Sequence, residues 1–91
     1  LWRGQAVGLT IAEYKVVALL VSSKGSLQTY RVIYDVVHRA GFLAGSGEHG
    51  YRTNVRSIMK RIRRKFIAID SGFSAIGNVA GAGYCWLHRQ H

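Results

Sequence analysis

Residues 50–70 decide the fold and read GYRTNVRSIMKRIRRKFIAID. In an α-helix, at 100° per residue, the apolar side chains of this stretch gather into one narrow stripe. The stripe consists of Val55, Met59, Ile62, Phe66 and Ile69. The opposite side carries polar and basic residues, namely Thr53, Arg56, Ser57, Lys60, Arg61 and Arg64. The stretch therefore predicts a helix, about residues 51–69, that packs on a core along one edge and faces a polyanion along the other.

Positive charge is dense in this stretch. It contains seven of the chain's 13 Lys and Arg residues, and Arg39 lies upstream of it. Such a face repels itself unless phosphate groups or counterions neutralise it. The small side chains of Thr53 and Ser57 would let the helix approach a groove wall closely. These features are typical of a DNA recognition helix, and the alternative is a basic helix whose charges are simply solvated.

The composition indicates one small globular domain, residues 1–91, with an acidic partner. Of its 91 residues 48% are hydrophobic, and the formal net charge is +9, which favours nucleic acid or an anionic membrane surface. The sequence has no apolar run near the roughly 20 residues of a membrane span and no signal-peptide pattern. Its single cysteine, Cys85, cannot form an internal disulfide, so we expect a cytoplasmic protein. Because the chain begins at Leu1 without methionine, we expect it to be part of a longer protein.

Residues 1–26 predict a hairpin and a helix. Residues 1–9 indicate a short β-hairpin that turns at Gly4. Thr10 and Glu13 have the spacing of a capping box. The helix that follows, to about residue 22, is apolar on nearly every side, which predicts a central core helix.

Residues 27–50 predict a strand, a helix and a loop. Residues 27–28 indicate one short strand, and Thr29 is placed to cap a second helix that ends near residue 39. The inner face of that helix is predicted to be Val32, Ile33, Val36 and Val37. The remaining positions are Tyr30, Arg31, Tyr34, Asp35 and His38. Residues 40–50 contain four glycines and predict a loop.

After residue 72 the apolar pattern changes to the alternation of strands. Residues 73–79 and 84–87 predict two strands joined by a glycine-rich turn. Tyr84 and Trp86 fall on one face, which we expect to point inward. The resulting order predicts an α+β winged helix-turn-helix. It has three helices, an N-terminal β-hairpin remnant and a C-terminal β-hairpin wing.

Three segments, in this order and spacing, resemble the C-terminal effector domain of OmpR/PhoB-type response regulators. Residues 9–14, LTIAEY, are similar to that family's L-T-x-x-E-[FY] motif. Residues 55–66, which end in KRIRRKF, are similar to V-D-V-H-I-x-R-L-R-K-K-L, and residues 78–84, NVAGAGY, to T-V-R-G-x-G-Y. The resemblance covers about residues 7–86, and the glycine-rich loop with residues 51–57 looks most like the ChvI-like alphaproteobacterial branch.

This resemblance implies a transcription factor controlled by phosphorylation. A sensor histidine kinase would act through a receiver domain that this chain lacks. The domain would bind double-stranded DNA as a dimer on direct repeats in promoters, with the basic helix in the major groove and the wing near the minor groove. The loop between the second and third helices would contact RNA polymerase, and the residues in that slot are Phe42, Leu43 and Glu48.

The chain departs from the family pattern at three positions that bear on the target sequence. Arg56 stands where the family commonly has Asp, which favours a G·C preference through guanine O6 and N7. Ala80 replaces the arginine of the wing, so the usual minor-groove cation is absent. His38 occupies a position where the family often has Trp.

The predicted DNA contacts divide into bases and phosphates. Base contacts are assigned to the residues that project away from the apolar stripe and match the family's reading positions: Arg56, Lys60 and Arg61. Phosphate contacts are assigned to Arg52, Thr53, Asn54, Arg63, Arg64, Asn78 and His38. Each base candidate has the alternative of touching only phosphate, because most protein–DNA hydrogen bonds go to the backbone. Lys65 is expected to lie along the core side of the helix.

The sequence shows no pattern of an enzyme or of a cofactor site. The four histidines form no metal-ligand spacing with Cys85, and the four acidic residues are scattered. Gly81 and Gly83 fit a wing turn better than a phosphate-binding loop, since no Lys-Ser/Thr follows them. Two alternative functions stay open. One is a nucleic-acid binder without sequence specificity, for RNA or for DNA architecture, and the other is a protein-interaction module that uses Phe42 and Leu43.

Overall fold

The computed structural model describes residues 2, 4–39 and 48–87. It contains three helices and a three-stranded antiparallel sheet of strand order β1-β3-β2. The elements are α1 (Ile11–Ser22), β1 (Gln28–Thr29), α2 (Tyr30–Arg39), α3 (Glu48–Ile69), β2 (Ile76–Val79) and β3 (Gly83–Trp86). This is the predicted α+β winged helix-turn-helix, in which α2 and α3 form the helix-turn-helix pair and β2 with β3 forms the wing.

Helix α3 is the centre of the core. Four members of its predicted stripe are buried, namely Val55, Met59, Ile62 and Phe66, and Ile58 joins them. Ile69 is half-buried at the end of the helix. The helix begins at Glu48, so residues 48–50 of the predicted loop belong to its first turn. The rest of that loop lies outside the described residues.

Helix α1 begins at the predicted capping box. The Thr10 Oγ1 accepts from the backbone N–H of Glu13 at 3.2 Å, and Glu13 Oε1 accepts from the N–H of Thr10 at 2.9 Å. The prediction that this helix is the central core helix is wrong, because Ile11 is 71% exposed and Tyr14 63% exposed. The helix packs against the core on one face only, so α1 lies at the edge of the core rather than in its centre.

Helix α2 begins at the predicted cap, where Thr29 Oγ1 accepts from the N–H of Val32 at 3.2 Å. Its inner face differs from the prediction at two positions. Tyr30 is buried together with Ile33 and Val37, whereas Val32 is 40% exposed. The three buried residues recur at the spacing of one face of a helix, and that face meets α3.

The wing has the predicted orientation, with Tyr84 and Trp86 buried. Strands β2 and β3 pair with Asn78 opposite Tyr84 and Val79 opposite Gly83. Gly83 also lies directly against β1, since a Cβ at this position would stand 2.1 Å from the carbonyl oxygen of Gln28. A side chain is excluded there, so this glycine is what lets β1 join the sheet.

The predicted N-terminal hairpin is reduced to one bridge between Trp2 and Gln5. Its main role in the fold is to place the Trp2 ring on the core. The ring makes edge contacts with Phe66, Phe73 and Trp86, at centroid distances of 5.4, 5.1 and 5.9 Å. The described helices include none that is long and apolar enough to cross a membrane.

Candidate nucleic-acid interface

The side of α3 that faces away from the core carries exposed cations. Lys60 and Arg64 occupy its centre, and both are exposed. Within residues 2, 4–39 and 48–87, neither has an ion pair. Thr53 and Ser57, also exposed, lie on the same side. Positive charge that the protein does not neutralise itself remains available to an external anion.

One flank of α3 is held by a carboxylate. Lys65 Nζ lies 2.5 Å from Glu13 Oε1, and Arg61 Nε lies 3.8 Å from Glu13 Oε2. We call this group of Glu13, Arg61 and Lys65 the carboxylate flank. The Glu13 side chain is only 4% exposed, whereas those of Arg61 and Lys65 are 50% and 34% exposed.

The carboxyl group of Glu13 is ionised by its partners. Burial raises the pKa of Glu13, but the hydrogen bonds from Lys65 and from the Thr10 N–H, together with the charge of Lys65, outweigh it. The pKa therefore lies below its ordinary value of 4.5. As a result, two of the seven cations of α3 face a negative charge inside the protein.

The opposite flank of α3 is held by tyrosine rings. The Arg56 guanidinium carbon lies 5.5 Å from the ring centroid of Tyr30, and that of Arg63 lies 5.6 Å from the centroid of Tyr84. The two rings meet edge to face at 5.7 Å. We call Arg56, Arg63, Tyr30 and Tyr84 the tyrosine flank. Arg63 Nη2 also donates to the carbonyl of Ile76 at 3.1 Å, which ties α3 to the wing.

The rings of the tyrosine flank orient arginines without neutralising them. Burial raises the pKa of Tyr84, and the neighbouring Tyr30 raises it further through charge and a side-chain hydrogen bond. Arg63 and Arg56 oppose this shift without cancelling it. Tyr84 thus remains a neutral phenol at physiological pH, and its ring attracts Arg63 without bringing a negative charge to it.

A third aromatic contact lies at the N-terminal end of α3. The ring of Tyr51 has Arg31 of α2 and Arg52 of α3 at 5.8 and 5.9 Å from its centroid. Tyr34 packs against Tyr51 at 5.6 Å. His38, a predicted phosphate contact, is exposed and stacks on Tyr34 at 5.9 Å.

The structure brings most of the predicted DNA contacts to one surface. Arg52, Arg56, Lys60 and Arg64 are exposed along α3, and Arg63 is half-buried beside them. Two other predicted phosphate contacts do not lie on this exposed side of α3. The side-chain amide of Asn54 donates to the Gly50 carbonyl at 2.9 Å, and Asn78 is exposed in β2. Lys65 lies towards the core, as predicted, and ends on Glu13.

The remaining predicted contacts belong to the loop before α3 and to the wing. Phe42 and Leu43 lie outside the described residues, and Glu48 forms the start of α3. At the tip of the wing, Ala80 and Gly81 are exposed, and Gly81 has the positive φ of 73° that its turn requires. The predicted wing turn is therefore confirmed at Gly81, whereas Gly83 is the first residue of β3.

Sequence reasoning did not identify Arg31, Tyr30 and Tyr51 as part of this surface. Arg31 has the i,i+4 spacing to Asp35 that marks a local helix pair, and the structure shows that pair at 3.4 Å. Its second contact, with Tyr51, joins positions far apart in the chain, and no periodicity within one helix indicates it. In the residues that the structure describes, no group of three His, Cys, Asp or Glu side chains is arranged to hold a metal ion.

Comparisons with known proteins concern the fold. No family model matches this chain, and no curated protein does. Among solved structures it is similar to the C-terminal domain of the nisin resistance regulator NsrR, a lantibiotic response regulator. The TM-score is 0.70 at 20% sequence identity, over 92% of this chain and 78% of that one. The chain therefore has the fold of a response regulator's C-terminal domain, and the closer resemblance to the ChvI-like branch remains a prediction.

Proposed function

We propose that this chain binds double-stranded DNA in a sequence-specific manner, as the effector domain of a two-component transcriptional regulator. The observation that carries the proposal is that most of the cations of α3 face no carboxylate in the part of the chain that the structure describes. Five of its cations, Arg52, Arg56, Lys60, Arg63 and Arg64, have no carboxylate partner among the described residues. The fold shared with a response regulator's C-terminal domain supports the regulatory role.

The dimensions of α3 suit the major groove. Its 22 residues extend roughly 33 Å, and a groove about 12 Å wide admits one helix. In this arrangement the base contacts would come from Arg56, Lys60 and Arg61. The phosphate contacts would come from Arg52, Thr53, Asn54, Arg63, Arg64, Asn78 and His38. The wing would approach the minor groove without a cation at Ala80.

The tyrosine flank favours Arg56 as the leading base contact. A guanidinium that lies over a ring keeps its N–H edge free, and this edge pairs with guanine O6 and N7. Arg61 reaches DNA only with the donors that do not face Glu13, or after leaving that carboxylate. We therefore expect Arg56 to contribute more to base recognition than Arg61.

The regulatory context completes the proposal. The domain would be a binding module rather than an enzyme, and it would dimerise on direct repeats in promoters in the cytoplasm. Phosphorylation by a sensor histidine kinase would act through a receiver domain. Phe42, Leu43 and Glu48 would form the contact with RNA polymerase.

Selection of bound duplexes from a random pool tests this function. We expect a direct repeat whose half-sites lie about one helical turn apart and contain guanine opposite Arg56. A salt titration on the selected duplex should then show specific binding at least about 1,000-fold tighter than binding to random duplex. A pool that stays random, with affinity that collapses in salt, would instead establish a nucleic-acid binder without sequence specificity.

A further inference from the structure

We infer that a further phosphate-binding site is formed by Tyr51, Arg31 and Arg52. It takes a phosphodiester group of the DNA backbone beside the N-terminal end of α3. The inference rests on the proposed DNA binding and extends it to α2. We call these three residues the Tyr51 site. Two of them, Arg31 and Tyr51, were not among the predicted contacts.

Two guanidinium groups from different helices share one ring in this site. Arg31 comes from the first turn of α2 and Arg52 from the second turn of α3, and each lies within 6 Å of the Tyr51 centroid. Guanidinium groups repel each other, so their approach to one ring concentrates positive charge at this point. Phosphate oxygens accept several hydrogen bonds at once from such an arrangement.

Only one carboxylate competes for these cations among the described residues. Asp35 Oδ1 lies 3.4 Å from Arg31 Nε, and the two side chains are 43% and 69% exposed. An exposed i,i+4 pair of this kind is weak. It also uses the Nε edge of Arg31, which leaves the two terminal amino groups for another acceptor. Arg52 has no ion pair within the described ranges, so the site keeps a net positive charge.

Packing beneath the ring holds the site in place. Tyr51 is half-buried and contacts Tyr34 of α2 at 5.6 Å. The aromatic platform therefore belongs to both helices of the helix-turn-helix pair, and it restricts both arginines before any ligand arrives. In helix-turn-helix proteins the first helix of the pair crosses the DNA backbone, while the second enters the groove. Arg31 lies on that first helix, which points to a phosphate rather than a base.

The test compares two variants that each remove one positive charge. Arg31→Gln removes a cation of the Tyr51 site, and Lys15→Gln removes an exposed cation of α1. Affinity for the selected duplex is measured by fluorescence anisotropy between 50 and about 200 mM salt. We expect Arg31→Gln to lower the slope of log affinity against log salt by about 0.9. Lys15→Gln should leave that slope unchanged.

Methylphosphonate groups then locate the contact on the DNA. Each neutralises one backbone phosphate of the selected duplex, and one position should weaken wild-type binding while leaving Arg31→Gln unaffected. Tyr51→Phe keeps the ring and should bind like wild type. Tyr51→Leu should bind like Arg31→Gln, and urea unfolding shows whether it is still folded at the assay temperature.

Three results separate the two proposals. If wild type binds no duplex, the proposed function itself fails. If wild type binds but Arg31→Gln keeps the wild-type salt slope, the Tyr51 site is overturned while DNA binding stands. The Tyr51 site would also be overturned if no methylphosphonate position weakens binding by wild type while leaving binding by Arg31→Gln unaffected.

Discussion

The carboxylate flank and the tyrosine flank both restrain basic side chains of α3, but they leave different charges behind. On the first, the carboxylate of Glu13 faces Lys65 at 2.5 Å and Arg61 at 3.8 Å. On the second, neutral rings lie 5.5 and 5.6 Å from the guanidinium carbons of Arg56 and Arg63. A carboxylate cancels part of the charge that it holds, whereas a ring attracts a cation through its quadrupole and carries no net charge.

This difference indicates a division of work along one helix. The carboxylate flank joins α3 to the start of α1 and contributes chiefly to stability. The tyrosine flank joins α3 to α2 and the wing while its arginines remain cationic. Oriented charge is what recognition of an anion needs, because less side-chain freedom is lost on binding.

The largest expected effect comes from removing two positive charges either from Arg56 and its exposed neighbour Lys60 or from the carboxylate flank. Arg56→Ala with Lys60→Ala, and Arg61→Ala with Lys65→Ala, each remove two positive charges. We expect the first pair to reduce affinity for the selected duplex about 100-fold, since base contacts contribute about 1–3 kcal/mol each. The second pair should cost about 3 kcal/mol of unfolding free energy, because it leaves the buried carboxylate of Glu13 without a cationic partner.

Anisotropy titrations measure the DNA affinity of both double variants, and urea unfolding measures their stability. The first pair should lose at most about 1 kcal/mol of unfolding free energy, because both side chains are exposed and only the contact of Arg56 with Tyr30 is lost. If the second pair loses as much affinity while still folded, Arg61 takes part in recognition as much as Arg56, and the two flanks do not differ in function.

A second prediction concerns the packing of β3 on β1 at Gly83, next to Tyr84 of the tyrosine flank. Gly83→Ala would place a Cβ 2.1 Å from the Gln28 carbonyl oxygen, and we expect a loss of about 3 kcal/mol of unfolding free energy. Gly81→Ala is the control, because no atom lies within 4 Å of its added Cβ. It should cost about 1 kcal/mol through its positive φ alone. Equal losses in thermal or urea unfolding would mean that β1 yields to the added methyl group.

A third prediction tests the charge of the carboxylate flank. Glu13→Gln retains a side chain that can complete the capping box but removes the charge that faces Lys65 and Arg61. We expect a loss of about 2 kcal/mol of unfolding free energy at pH 7. Affinity for random duplex should rise, because the two cations are released. Lower affinity for random duplex in the folded variant would contradict this account.

The pH dependence of wild-type stability provides a check on the same residue. Glu13 has a folded-state pKa below its ordinary value of 4.5, so its stabilising contribution is complete above that value. The contribution is lost as the pH falls through the lower folded-state pKa. Wild type should therefore lose its stability advantage over Glu13→Gln between about pH 5 and pH 2. A constant difference across that range would mean that Glu13 is not held as an anion.

The smallest expected effect comes from a substitution that keeps the charge of Arg56 but changes the shape of its side chain. Arg56→Lys keeps the positive charge but loses the planar group that lies over Tyr30 and pairs with guanine. We expect the ratio of specific to random-duplex affinity to fall about threefold from the lost stacking, with further loss if guanine is read. Affinity for random duplex should remain unchanged. A matching loss on random duplex would show that Arg56 contacts only phosphate.

Local patterns predicted the elements of this fold. The apolar stripe of α3, the capping box at Thr10 and the inward alternation of Tyr84 and Trp86 all depend on neighbours within a few residues. Each was confirmed. The burial of α1 was predicted wrongly, because a helix that is apolar on every side gives no indication of which face meets a partner. Only packing shows that Val16 and Leu20 are buried while Ile11 and Tyr14 are exposed.

The sequence by itself determined that this chain has a basic helix with one apolar edge, because helical periodicity and charge density are properties of a single continuous stretch. It also determined the order of helices and wing. Only the tertiary structure decided how each cation is held. The contacts that hold the cations join residues distant in the chain, namely Glu13 with Lys65, Tyr30 with Arg56, and Arg31 with Tyr51. The energy of a cation beside a carboxylate or a ring depends on their separation and on burial, and both are set by packing.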